Sequence, residues 1–290
     1  MSSAREEILQ RIRTANANAG VTSTSSQRAD SATTQRDSSS GSAGAQATSL
    51  DADGSRAAAD ATPALSVRDL VLEYPDGERG VLRALDEVSL DLLPGTFTAM
   101  VGPSGSGKSS LLAVAAGLVT PTSGCVSVAG REMAGLSRKE RTALRGQEIG
   151  MIFQQPNLIP SLTAAEQLEL TVHLDRDATR ADRRAAKARA LELLERVDLA
   201  DQAGKRPHQL SGGQRQRVNI VRALMASPTL LLVDEPTSAL DRERSAAVVD
   251  LLGTLTREEQ VATLMVTHDH EFLSATDRTL TMVDGRLSAE

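Results

Sequence analysis

Residues 97–112 read FTAMVGPSGSGKSSLL. Phe97, Ala99 and Val101 alternate as in a strand, and the chain then runs straight into a glycine-rich turn. A helix is expected to follow over residues 108–118. The segment from Gly102 to Ser109 fits G-x-x-x-x-G-K-[ST] at every fixed position. Glycines allow backbone N–H groups to turn inward around phosphate oxygens without a side-chain clash. A helix beginning near Gly107 adds the positive end of its dipole. Lys108 can reach β- and γ-phosphates, and the Ser109 hydroxyl can ligate Mg²⁺. The alternative, an ordinary glycine-rich turn, is disfavoured because a strand precedes the loop and a helix follows it.

The acidic complement lies in LLLVDEP, residues 230–236. The run TLLLV (229–233) is continuously apolar, as a central parallel strand buried on both faces requires. Asp234 then falls at that strand's carboxyl end, where open α/β sheets bind ligands. There it would hold Mg²⁺ through water, and Glu235 would polarise the water that attacks a γ-phosphate. An Asp-Glu pair after a strand can equally cap a helix; the glycine loop tips the choice towards chemistry. ATLMV (262–266) has the same buried-strand character. Further strands are expected at 65–74, 88–92, 125–130 and 149–153, with an edge hairpin in TLTMVDGRL (279–287).

Residues from about 156 to 210 read as helical. Thr163-x-x-Glu166 is a capping box. A second helix is expected over 178–197, with Leu191, Leu194 and Val197 facing inward and Glu192 and Arg196 paired across one turn. Its basic run (Arg180, Arg183, Arg184, Lys187, Arg189) reads as a solvated face rather than a nucleic-acid or lipid contact. The fold class is therefore α/β with an inserted α-helical subdomain, and no internal repeat is visible.

Composition sets bounds. With 40% hydrophobic residues the 290-residue chain can build a sizeable core, almost without aromatics: three Phe, one Tyr and no Trp. The net charge of -6 argues against nucleic-acid binding. One cysteine, Cys125, excludes an intrachain disulfide and suits a reducing cytoplasm. The longest apolar run, 111–119, is too short to cross a bilayer, so membrane work would need a partner chain. Residues 1–63 differ from the rest and are expected to be a disordered Ser/Thr/Ala-rich extension, with order over 64–290. From Thr14 to Thr62 only Val21 and Leu50 are apolar and larger than Ala. Ser3-x-x-Glu6 could cap a short helix bearing Ile8, Leu9 and Ile12, either a docking element or a fraying tail.

A second phosphate-competent helix start lies in QLSGGQRQRVNIVRAL, residues 209–224. Ser211 is a good N-cap, and Val218, Val221, Leu224 and Met225 line one side of the helix. A cap needs no Gly212-Gly213, and glycine there costs helix stability. The pair makes sense if something must approach the backbone closely.

Leu210-Ser211-Gly212-Gly213-Gln214 resembles the signature of ATP-binding cassette (ABC) ATPases. Over about residues 65–288 the family's other motifs occur in order. The resemblance implies a P-loop NTPase core with a small antiparallel β subdomain. It assigns Gly102, Pro103, Ser104, Gly105, Ser106, Gly107, Lys108, Ser109 and Ser110 to the phosphates of ATP. Gln154 falls where the family has its Mg²⁺- and water-sensing glutamine, Asp241 ends the D-loop SALD (238–241), and His268 matches the switch histidine. Tyr74 lies where an aromatic stacks on adenine, although a tyrosine of the core or of a turn would look the same. The family's arrangement implies a head-to-tail homodimer with ATP sandwiched between copies. There Ser211, Gly212, Gly213 and Gln214 of one copy close over the γ-phosphate held by the other. Glu235, His268 and Gln154 would be catalytic, with Ser109, Gln154 and Asp234 at the metal. IGMIFQQPNLIPSLTAAEQLEL (149–170) is similar to the subgroup serving lipoprotein release, macrolide efflux and cell division. That implies a cytoplasmic ATPase on the inner face of the membrane, energising a separate permease. The alternative is a cell-division-type regulator that transmits motion without transport.

Overall fold

The computed structural model describes residues 62–75, 80–174, 178–238 and 240–289. The expected extension and its short helix fall essentially on residues 1–61, outside the described residues. Two sheets form the frame. A six-stranded sheet has the order β10-β9-β3-β8-β7-β6, and a four-stranded one β2-β1-β4-β5. In the larger sheet β3 (Phe97–Val101), β6 (Ile149–Ile152), β7 (Leu230–Asp234), β8 (Ala262–Val266) and β9 (Arg278–Val283) run parallel. Only β10 (Arg286–Ala289), at the edge, is antiparallel. Every residue of β3 and β8 is buried, as the apolar runs demand of strands covered on both faces. The smaller sheet is antiparallel throughout: β1 (Leu65–Pro75), β2 (Val81–Leu92), β4 (Ser123–Val128) and β5 (Arg131–Glu132).

Two apolar cores lie on opposite faces of the large sheet. One joins it to the small sheet through α1 (Lys108–Ala115) and contains Leu65, Leu70, Leu85, Leu111 and Met282. The other lies under α5 (Gly212–Ala223) and α6 (Arg242–Glu258) and extends to α3 (Ala164–Leu174) and α4 (Arg180–Glu195). α2 (Arg138–Glu148), whose Leu144 belongs to the first core, runs into β6. The architecture is that of an α/β cassette with a small antiparallel sheet and an inserted pair of helices.

Several local expectations need correction. The helix after the glycine loop stops at Ala115 rather than 118. Gly117 (φ 64°) supplies the left-handed turn, Leu118 N–H bonds Ala113 O at 2.9 Å and Gly117 N–H bonds Val114 O at 2.8 Å. That pair of bonds is a Schellman stop. β2 begins at Val81, seven residues before the apolar alternation suggests. Glu87 has φ 55°, so Leu85 and Val88 are both buried although three apart; the bulge hides the period. α2 went unanticipated because Leu144 is its only buried residue; its signal is the capping box Ser137-x-x-Glu140. Leu191 does not face inward but is 42% exposed, and Ala186, Ala190, Leu193 and Leu194 form the buried stripe of α4. Arg196 pairs with Glu258 and Glu259 at the end of α6, and it is Arg189 that pairs with Glu192.

Candidate active site

Parallel pairing puts four loops at one edge of the large sheet. β6, β7, β8 and β3 are neighbours that run in one direction, so their carboxyl ends deliver Gln154, Asp234-Glu235, His268 and the glycine loop to the same rim. The spatial order 3-8-7-6 departs from chain order, and such an edge is where α/β sheets bind ligands.

The glycine loop is shaped by its own surroundings. Gly102 has φ 146°, and a Cβ there would lie 2.0 Å from Met282 O. Gly107, the N-cap of α1, has φ 106°, and a Cβ would lie 2.4 Å from Ala84 O. Only glycine meets both demands. Gly105 (φ 85°) instead faces open space. The Lys108 ammonium is buried across the loop and donates to Gly102 O and Pro103 O, each at 2.8 Å, and to Ser106 Oγ at 3.3 Å. Pro103, Ser104 and Ser109 are exposed, whereas Ser110 is buried in the helix.

Asp234 ends β7 half-buried. Glu235 follows in the left-handed region (φ 46°), a conformation that costs a non-glycine residue of order 1 kcal/mol. Its N–H is held by Val266 O at 2.9 Å, so the next strand enforces the turn. The Glu235 carboxylate is thereby placed 3.6 Å from Nδ1 of the exposed His268. Gln154 is exposed just beyond β6. Asp241 caps α6, accepting from Arg244 N–H at 2.9 Å, and is solvent-exposed. Tyr74 lies opposite Leu82 in the small sheet, partly buried against the first core.

Ser211–Gln214 opens α5. Ser211 Oγ accepts from Gln214 N–H at 3.2 Å, and Gln214 Oε1 accepts from Ser211 N–H at 2.8 Å, a complete capping box. Neither Gly212 nor Gly213 is in the left-handed region. A Cβ at either would meet nothing nearer than 3.9 Å, namely Arg215 Nη2 and Arg244 Cδ. The fold of the single chain therefore does not require these two glycines.

Comparison with known proteins settles the family. The ABC transporter family model matches residues 85–238. The lipoprotein-releasing system ATP-binding protein LolD of Bordetella pertussis is 41% identical over 231 residues, covering 80% of this chain and 98% of that one. The chain belongs to the ABC transporter family. The macrolide export ATP-binding/permease protein MacB of Rhodopseudomonas palustris is also 41% identical, over 78% of this chain, but the chain spans only 34% of that relative's length. The dimeric post-hydrolysis structure of an ATP-binding cassette bound to ADP and Pi superposes with a TM-score of 0.68 at 37% identity, covering 78% of this chain and 97% of the other. The family match spans the glycine loop and the acidic strand end, residues 102–109 and 234–235.

Three residues of this cassette escaped the sequence reading. On the underside of α5, buried Gln216 donates to Pro236 O at 3.0 Å and buried Asn219 donates to Phe153 O at 3.3 Å. Arg222 donates to Pro156 O at 3.0 Å and to Asn219 Oδ1 at 2.8 Å. They hold the backbone beside Glu235 and Gln154. Their trace in the sequence is polarity interrupting the apolar positions of QRVNIVRAL, residues 216–224.

Proposed function

We propose that this cassette binds ATP and Mg²⁺ as half of a head-to-tail homodimer, hydrolyses the ATP, and drives a separate membrane subunit. The reading rests on Gly212 and Gly213, which carry a helix-propensity cost that nothing in the single chain repays. Bare backbone at a helix N-terminus suits an anion arriving from outside, here the γ-phosphate held by the second copy. The solved cassette bound to ADP and Pi, itself dimeric, supports the arrangement.

The residues fit Mg²⁺. Ser109, Asp234 and Gln154 offer hard oxygen donors, and among the described residues no group of three or more His, Cys, Asp or Glu could hold a metal. A cation bound here would draw most ligands from phosphate and water, as Mg²⁺ does. When bound it would neutralise charge on the β- and γ-phosphates. The chain's own work follows from the geometry. The loop N–H groups between Gly102 and Ser110 cradle phosphate, and Lys108 trades its bonds to Gly102 O and Pro103 O for phosphate oxygens. Glu235 accepts the proton of the attacking water, which His268 and Gln154 orient. Asp241, at the start of α6, links the two sites, and Tyr74 supports the adenine.

Among the described residues no helix is long and apolar enough to cross a membrane. The relatives belong to a lipoprotein-releasing system and a macrolide export ATP-binding/permease protein, which favours a transporter over a cell-division-type regulator. The exposed Phe153 and Ile159, flanking Gln154, are the apolar surface a cytoplasmic face of a permease would cover. Glu235→Gln should bind ATP, hydrolyse it very slowly and accumulate as a dimer by light scattering. A variant that stays monomeric with normal turnover would refute the role of Glu235.

A further inference from the structure

Behind the phosphate loop the chain builds a second layer of support. β9 and β10 are joined by the two-residue turn Asp284-Gly285, both with positive φ (48° and 78°), as a type I′ hairpin requires. Gly285 faces the small sheet: a Cβ there would lie 3.1 Å from Ala84 O. Both of its peptide groups are engaged. Its N–H donates to Ser106 O in the phosphate loop, and its carbonyl accepts from Asp86 N–H, each at 2.9 Å. The turn is therefore a bridge between β2 and the loop.

Ionic contacts fasten that bridge. Asp86 is only 12% exposed by its side chain and accepts from Arg286 Nε and from Arg83 Nη1, each at 2.7 Å. Arg83 also donates from Nε to Glu73 Oε1 at 3.1 Å, beside Tyr74. Hydrogen bonds from Arg286 first, then Arg83, hold the Asp86 carboxyl below the usual aspartate range. One carboxylate thus gathers a residue after the hairpin turn, a residue of β2, and through Arg83 the end of β1 next to the candidate adenine platform.

We infer that Asp86 is a positioning residue for the nucleotide: with Arg286 and Arg83 it clips the Asp284-Gly285 turn against Ser106 and so sets the shape of the phosphate loop. It touches no reacting atom. Its effect belongs to ATP affinity, because Ser106 lies in the cradle whereas Glu235 and His268 stand on other strands. The inference rests on the ATPase reading above.

The test is steady-state ATPase kinetics and ATP titration on the full chain with Asp86→Asn, Arg286→Gln and Arg286→Lys, and Arg68→Gln as the control. Arg68 pairs with Asp91 elsewhere in the same small sheet at 2.7 Å. The Arg286 side chain is 75% exposed, so its loss leaves the core intact even where Asp86→Asn lowers the melting temperature. Expected is a rise in KM and in the dissociation constant for ATP of about three- to fivefold in Asp86→Asn and Arg286→Gln, the range a rim ion pair can supply, with kcat unchanged. Arg286→Lys should recover part of the loss and Arg68→Gln should show none. Unchanged KM in both, a fall in kcat alone, or an equal effect from Arg68→Gln overturns the inference. Absence of ATP turnover in the wild type would instead refute the ATPase reading itself.

Discussion

Replacing Gly212 and Gly213 together by alanine should make the chain more stable and less active. Both glycines lie in the first turn of α5 with ordinary helical φ, and the nearest atom to either added Cβ is 3.9 Å away, an ordinary van der Waals contact. The capping pair of Ser211 and Gln214 is untouched. Alanine then recovers helix propensity, about 0.5 kcal/mol per position in a first turn, or about 1 kcal/mol in all. For an ordered domain of this size that is a rise in melting temperature of roughly 2–4 °C. Activity should move the other way. Two methyl groups would stand where a partner-held phosphate must approach the backbone. Losing one charge-assisted hydrogen bond, about 1.5–3 kcal/mol, lowers turnover by at least about tenfold. Differential scanning fluorimetry and steady-state ATPase assays on the same preparation read both. A lower melting temperature would refute the claim that the single chain does not need these glycines. Normal turnover would refute the clamp.

Gly102→Ala should do the reverse at the first loop, lowering the melting temperature by several degrees in the same assay, because its Cβ would overlap Met282 O at 2.0 Å with φ at 146°. Lys108→Ala should abolish measurable ATP binding in a calorimetric titration. Glu259→Gln should lower the melting temperature at pH 7 by roughly 3–6 °C, from about 1.5 kcal/mol, because Arg189 and Arg196 converge on this mostly buried carboxylate. Burial pushes the Glu259 carboxyl up, but hydrogen bonds and charge from Arg196 and Arg189 hold it below the ordinary 4.5. A depressed native pKa stabilises fully above that ordinary value and is lost as pH falls below it. Melting curves of Glu259→Gln and wild type should therefore draw together as the pH is lowered below 4.5.

What could be read ahead of the structure, and what could not, follows from burial. β3, β7 and β8 are buried on both faces, so each declares itself as an apolar run, and the glycine loop must follow one of them. The antiparallel sheet was half legible: β1 reads cleanly, whereas the bulge at Glu87 breaks the alternation that would have revealed the first part of β2. α2 and Leu191 failed for one reason. Burial of a helix is decided by its neighbours, and Ala186 and Ala190 take the inward positions of α4 that larger side chains suggested for Leu191. Asp86 and Asn219 belong to a different class. Each is one polar residue whose meaning lies in carbonyls and cations from distant strands, and no local pattern contains them.

These distant contacts also decide how the parts of the site relate mechanically. The N-terminus of α5 carries the proposed anion contact, while its underside is bonded to Phe153 O, immediately before Gln154, and to Pro236 O, immediately after Glu235. α5 is a regular helix of twelve residues, so its ends cannot shift independently without breaking its own ladder. Glu235 is already held in a left-handed turn by Val266 O, with little freedom to absorb movement. A displacement at Ser211–Gly213 therefore either stretches the bonds from Gln216 and Asn219 or moves the backbone beside both Gln154 and Glu235. Stretching two buried hydrogen bonds costs about 1–3 kcal/mol for each group left unsatisfied, so Gln216 and Asn219 resist any shift of α5 relative to the backbone beside Gln154 and Glu235.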